Sequence, residues 1–271
     1  MADAYTHGHA ESVLRSHRTR TAANSAAYLV PHLRPGQTLL DVGSGPGTIT
    51  ADLAELVAPG RVIALETSEE VLAITRQGVE ERGCGNVDYV VGDVHALELP
   101  DDSVDVVHAH QVLQHVADPV QAIREMARVC RPEGLVAARD GDYGAFTWFP
   151  ASVELDRWRE LYSVAARANH GEPDAGRRLL GWAHAAGCTD VVASASTWCY
   201  ADPTSRAAWG HMWADRITGS AIADQLVDSG LASRGELEDI AGAWRAWAAA
   251  PDGWISVLHG EILVRIEASK G

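Results

Sequence analysis

The stretch Leu39-Leu40-Asp41-Val42-Gly43-Ser44-Gly45-Pro46-Gly47-Thr48 carries the densest chemical signal in the chain. A short apolar run meets three closely spaced glycines, and a helix-forming segment follows. Glycines at such a turn allow positive φ and let a ligand approach the backbone closely, against helix N–H groups. Two ligand classes compete for a loop of this kind. A dinucleotide fingerprint wants G-x-G-x-x-G. Here the third glycine falls one residue early, and Thr48 stands where that fingerprint wants Gly or Ala. The spacing argues against a nucleotide-dependent oxidoreductase. No G-x-x-x-x-G-K-[ST] occurs, so a phosphate-gripping P-loop is excluded. Asp41, two residues before Gly43, suits a ligand with a cationic α-amino group, with turn capping as the alternative role.

A second concentration is His108, His110 and His115. They follow an apolar run at what should be the carboxyl end of a strand, where ligands bind in open α/β sheets. His110 and His115 are candidate general bases near neutral pH. No tight ligand set accompanies them, so no metal is expected. Asp140 and Asp142 read as a loop pair or a substrate contact. Tyr143, Phe146, Trp148 and Phe149 form one aromatic group, and Trp209, His211, Met212 and Trp213 another. Tyr143, Trp148, Phe149, Trp209 and Trp213 are candidate walls of an apolar substrate pocket. Packing inside a helical core is the equal alternative, because Trp209, Met212 and Trp213 are helix-face neighbours.

The elements that position these residues follow from periodicity. Residues 11–33 read as one helix. Strands are expected at 38–42, 61–65, 87–91, 104–109 and 135–138, with helices at 47–57, 68–82 and 119–130 between them. Short apolar strands alternating with helices imply βαβ units and a doubly wound, mostly parallel sheet. Beyond residue 150 the pattern changes. Helices are expected at 152–169, 174–186, 204–229 and 233–249, and strands at 191–200 and 255–266. The expected fold is α/β, with a seven-stranded sheet and helical cap insertions at 143–190 and 201–253. Residues 36–139 form its ligand-binding core, within a single domain over 1–271.

Composition sets the outer limits. The chain has 271 residues, 46% hydrophobic and 22% charged, as in an ordinary globular protein. Lys and Arg number 22 against 37 Asp and Glu, a net charge of −15. That balance argues against nucleic acid or an anionic membrane surface as partner. Four cysteines without a CxxC pair suggest neither zinc ribbon nor disulfide framework. No secretory signal or membrane span is read, so a cytoplasmic location is the default. All nine Trp lie at or after Trp148, and this half offers room for a homodimer interface.

The segment Asp41-Val42-Gly43-Ser44-Gly45-Pro46-Gly47 resembles the first motif of class I S-adenosylmethionine (SAM)-dependent methyltransferases. Four more segments align in order: Val62-Ile63-Ala64-Leu65-Glu66; Val91-Gly92-Asp93-Val94; Asp105-Val106-Val107 with His110-Gln111-Val112-Leu113-Gln114-His115; and Arg128-Val129-Cys130-Arg131-Pro132-Glu133-Gly134. The resemblance covers roughly residues 36–139 and is nearest to the ubiquinone/menaquinone biosynthesis-type small-molecule methyltransferases. It implies SAM as methyl donor, a Rossmann-like sheet whose last strand is antiparallel, and a small-molecule acceptor. It also implies roles. Asp41, Gly43, Ser44, Gly45 and Gly47 would wrap the methionine portion. Glu66, with Thr67 beside it, would accept the ribose hydroxyls. Asp93 and Val94 would meet the adenine, and His110 and Gln111 would line the sulfonium side. Residues 1–35 would close over the cofactor as a lid helix, with Arg18 on its carboxylate. The alternative reading is a SAM-binding protein, or a SAM-using enzyme of another reaction type.

Overall fold

The computed structural model describes residues 19–268. Five strands run parallel: β1 (Thr38–Val42), β2 (Arg61–Glu66), β3 (Val87–Val91), β4 (Val104–His110) and β5 (Cys130–Gly141). Their order is β3-β2-β1-β4-β5. The chain reverses at β1, leaving β1 and β4 side by side, the switch point where such sheets bind ligands. β8 (Trp254–Arg265) then runs antiparallel along β5, and β7 (Val191–Tyr200) runs antiparallel along the other side of β8. An eighth strand, β6 (Thr147–Phe149), joins β8 beyond the point where β5 leaves it. The expected seven strands are all present. The added strand has three residues, too short for any periodicity to register.

Alternation along the strands sorts two cores. Leu39, Val62, Val106 and Ala137 face one side, against Leu29 and against Leu53 and Val57 of α2 (Thr48–Val57). Leu40, Ile63, Val107 and Val136 face the other, against Ile123 and Met126 of α4 (Pro119–Val129) and Leu179 of α6 (Leu179–Ala185). Between them in sequence, α3 (Glu69–Glu81) starts from a Ser68 cap whose hydroxyl accepts from the Val71 N–H. α6 lies in the expected cap insertion 143–190, yet it covers the sheet beside α4. It is the crossover helix that leads into β7.

A third core is the cap. α5 (Val153–Ala168), α7 (Pro203–Gly219), α8 (Ala221–Asp228) and α9 (Arg234–Ala249) bury Trp158, Trp213, Trp244 and Tyr162 against Ile255 and Val257 of β8. Trp158 sits at its centre, edge-on to Trp213 at 4.5 Å and to Trp244 at 4.9 Å. Such arrangements add to the area burial of the rings.

The single helix expected over 11–33 is not what the described part shows. α1 spans only Ala22–Ser25, and a 3₁₀ turn follows at Val30–His32. Thr21 and Asn24 form a reciprocal capping box that starts a new helix there. Pro31 then has no N–H to continue one. Among the described residues no helix is long and apolar enough to cross a membrane.

Candidate active site

The glycine loop is held from both sides. Gly43 and Ser44 donate their N–H groups to the Leu65 carbonyl, at 2.9 and 3.3 Å. Thr75 of α3 donates its hydroxyl to the Gly45 carbonyl at 2.6 Å. Gly47 caps α2 with φ 79°, and a Cβ there would lie 2.5 Å from the Thr75 carbonyl oxygen, so only glycine fits. Gly45, at φ 54°, is different: a Cβ there would meet nothing within 4 Å. The loop is packed at Gly47 and open at Gly45. The Gly45 N–H donates to Oε1 of Glu66 at 2.7 Å, so the acid at the end of β2 stands directly against the open loop. Oε2 of Glu66 accepts from the exposed Thr67 N–H at 3.2 Å. A loop open at Gly45 beside a carboxylate fits the methionine and ribose parts of SAM.

Asp41, expected at the ligand, is engaged beneath the loop. It is 3% exposed. Its Oδ2 accepts from the Thr50 hydroxyl at 2.7 Å, and its Oδ1 lies 2.8 Å from Nδ1 of His108. A buried carboxylate needs donors, and these two engage both oxygens below the loop. Asp41 therefore braces the loop from below. Ser44 is likewise turned to the Thr75 hydroxyl, at 3.2 Å. Asp93 accepts from the N–H of His95 at 2.9 Å in an Asx-type turn and keeps an exposed side chain. Val94 is buried in the sheet core, which leaves its backbone for any adenine contact.

A polar row crosses the sheet at the carboxyl end of β4. His110, Arg139 and Glu261 are successive register partners on β4, β5 and β8, and Ser194 of β7 completes the row. Arg139 donates from Nε to Glu261 at 3.2 Å and to Ser196 at 3.1 Å. Trp198 lies beside the row, with the Arg139 guanidinium 4.9 Å and that of Arg20 5.4 Å from its ring. The His259 ring lies tilted against Trp198, at 4.3 Å, and stacks over His110 at 6.1 Å. Both nitrogens of His110 are buried without a partner. Burial, then the charges of Arg20 and Arg139, hold its pKa well below the usual range, so the ring is neutral. His259 is neutral for the same causes, in the order burial, Arg139, Arg20.

The loop after β4 is clipped to β5. Gln111 adopts φ 55° and donates its N–H to the Arg139 carbonyl at 2.7 Å. Gln114 donates its N–H to Asp140 Oδ1 at 3.0 Å and accepts from the Gly141 N–H at 3.1 Å. Its amide nitrogen is 2.9 Å from Nε2 of His115. Burial, then Arg20 and Arg216, push the His115 pKa down to about 3. Asp142, read as a loop or substrate acid, is taken by Arg177, which reaches its Oδ2 from Nε at 2.7 Å. Among the described residues no group of three His, Cys, Asp or Glu could hold a metal.

The candidate aromatic walls are partly redirected. Tyr143 and Trp213 lie in the cap core, where Tyr143 stacks on Tyr162 at 4.0 Å. Both pack against the helices of the cap. Trp209 stacks on Tyr200 at 4.6 Å. Trp148 packs edge-on to Trp158 at 6.2 Å, while Phe149 is 54% exposed on β6. Arg18 lies outside the described residues.

Arg139, Trp198, His259, Glu261 and Tyr28 were not singled out from sequence. The available signal was polar residues inside otherwise apolar strands: Arg139 after Val136-Ala137-Ala138, and His259 and Glu261 within β8.

Residues 40–138 match the family model described as a methyltransferase domain. An uncharacterised methyltransferase of Schizosaccharomyces pombe is 32% identical over 273 residues, spanning 97% of this chain and 96% of that protein. The chain belongs to the class I SAM-dependent methyltransferases. The ubiquinone/menaquinone biosynthesis C-methyltransferase of Vibrio campbellii is 38% identical over 103 residues, covering 37% of this chain and 40% of that one. A crystal structure of a methyltransferase from Bacillus halodurans shares the fold, with TM-score 0.61 at 18% identity over 89% of this chain and 98% of that one. SAM is the methyl donor of this methyltransferase.

Proposed function

We propose that this methyltransferase acts on a small apolar or aromatic acceptor at the polar row beside His110. SAM supplies an electrophilic methyl group on a sulfonium, and the chain's own residues bind, orient and exclude water. Gly43 to Gly47 cradle the amino-acid part, Glu66 receives the ribose hydroxyls, and Asp93 with the Val94 backbone receives the adenine. Holding acceptor and donor in line can recover roughly 7–11 kcal/mol of the barrier. His110 is the group placed to take a proton from the acceptor. His115 is the weaker candidate, since its Nε2 already accepts from Gln114.

The observation that carries this reading is the pairing of an open loop with an unsatisfied buried ring at the carboxyl end of the sheet. Gly45, in the loop after β1, faces empty space beside Glu66, and at the end of the adjacent β4 both His110 nitrogens are buried without a partner. A net charge of −15 speaks against nucleic acid as the acceptor. Calorimetric titration with S-adenosylhomocysteine, with NADH as control, tests the cofactor half. Micromolar binding of the first alone is expected. Release of S-adenosylhomocysteine in a screen of small aromatic acceptors tests the other half. Tight cofactor binding with no turnover on any acceptor class would favour a SAM-binding protein instead.

A further inference from the structure

The methyl-transfer reading just given leaves open what the acceptor must carry. Buried polar groups are almost always hydrogen-bonded, and unpaired ones are costly. Five such atoms gather on three neighbouring side chains: Nη1 and Nη2 of Arg139, both ring nitrogens of His110, and the hydroxyl of Tyr28. Arg139 and His110 are register partners on adjacent strands, so they share a face. Tyr28 packs against the apolar cluster on that same face, with Val106 and Ala137 of the same two strands. Arg139 is 1% exposed. Its Nε edge is used by Glu261 and Ser196, and Glu261 is further satisfied by the Ser194 hydroxyl at 2.7 Å. The far end of the guanidinium keeps four N–H bonds with no acceptor.

An anionic oxygen group suits this arrangement. It can take two parallel bonds from the guanidinium and a third from Tyr28. Neutral His110 offers one N–H and one lone pair, so it can accept from a hydroxyl on the same ligand. We propose that Arg139, Tyr28 and His110 form an oxyanion subsite, selecting an acceptor that bears a carboxylate or an ionised phenol or enol. The acidic surface of the chain repels anions at long range, so an anion is held only where such donors converge.

The test uses the full chain saturated with S-adenosylhomocysteine, titrated with benzoate, 4-nitrophenolate and neutral benzamide by calorimetry or ligand-observed NMR. One anion or both should saturate below about 10 mM, with benzamide at least about tenfold weaker. Which anion binds separates the carboxylate from the ionised hydroxyl. Arg139→Lys, which keeps a cation for Glu261 but loses the fork, should cut the anion preference about tenfold. Tyr28→Phe should reduce it by a smaller factor, and it carries the test if Arg139→Lys fails to fold. Affinity for S-adenosylhomocysteine should stay within about twofold in both variants. Equal binding of benzamide, or no saturable anion binding, overturns the subsite. Loss of S-adenosylhomocysteine affinity with the anion preference intact also overturns it, because these donors then meet the cofactor's own carboxylate. Failure of the wild type to bind S-adenosylhomocysteine at all takes down the methyl-transfer reading itself.

Discussion

The side-chain nitrogen of Gln111 lies 2.8 Å from Nε2 of His259, although the two are 148 residues apart. The other ring nitrogen of His259 is 3.0 Å from the Val257 carbonyl, which can only accept. Nδ1 therefore carries the hydrogen, and Nε2 accepts from the Gln111 amide. Both the tautomer and the amide orientation follow from this assignment. Gln111 has φ 55°, a left-handed conformation that costs on the order of 1 kcal/mol or more for a non-glycine residue. A residue of the last strand thus helps hold the loop after β4 in a strained shape beside His110.

Replacing His259 should disturb alignment more than binding. His259→Leu is expected to lower kcat about tenfold, while affinity for S-adenosylhomocysteine changes by less than about threefold. His259→Gln, which retains an acceptor for the Gln111 amide, should recover part of the rate. Steady-state kinetics beside calorimetry checks the split. Equal losses in kcat and cofactor affinity would show that His259 supports the cofactor site as a whole.

Glu66 is expected to act twice, on the Gly45 N–H and on the cofactor's ribose. Glu66→Ala removes both contacts. It should weaken S-adenosylhomocysteine binding by about 1.5–3 kcal/mol, the range for hydrogen bonds to a charged group. Glu66→Gln keeps an acceptor for Gly45 and should fall between the two. Far-ultraviolet circular dichroism of all three proteins should coincide. Unchanged affinity in Glu66→Ala would remove the ribose role.

The sheet and the glycine loop were legible because their signals are local. Apolar runs bounded by Gly and Pro mark β1 to β4, and Ser68 marks the start of α3. The functional row was not legible. Arg139, Glu261 and Ser194 meet only because β8 runs antiparallel between β5 and β7, and that register is set by long-range packing. Asp41 shows the converse limit. Its position fits a ligand contact, and nothing local announces its partners, Thr50 in the first turn of α2 and His108 on the adjacent strand. Trp209, Met212 and Trp213 have helical spacing, yet spacing alone cannot tell a cap core from a pocket wall.

The cap core gives a stability prediction. Trp158 is fully buried and touches Trp213, Trp244 and Trp148. Trp158→Ala should cost about 3–5 kcal/mol by lost burial and cavity formation. Trp254→Ala, at a position 39% exposed on β8, should cost far less. Urea denaturation of both variants measures the difference. Comparable costs would mean that the cap is not organised around Trp158.

Asp140 and three buried histidines pull the pH dependence of stability in opposite directions. The Asp140 side chain is fully buried; Oδ1 accepts from the Gln114 N–H, and Oδ2 has no partner. Burial outweighs the backbone hydrogen bonds from Gln114 and Leu113 and the charge of Arg139, raising its pKa to about 7. An unfolded Asp titrates near about 3.9. Because the folded value is the higher one, the stability it contributes is full below about pH 4 and is lost as pH rises through about 7. The histidines run the other way. His110, His115 and His259 have depressed folded values, so their contribution grows as pH rises toward about 6.5 and is then constant. Three histidines outweigh one aspartate, and the wild-type Tm should rise between about pH 4 and 6.5. Above that only Asp140 still titrates, and Tm should decline slightly toward about pH 8. Asp140→Asn keeps an acceptor for Gln114 and removes the charge. Relative to the wild type it should gain on the order of 2 kcal/mol between pH 5 and pH 8. Thermal melts of both proteins at these two pH values measure the gain. An advantage of equal size at both would show that Asp140 titrates like an ordinary aspartate and is ionised throughout.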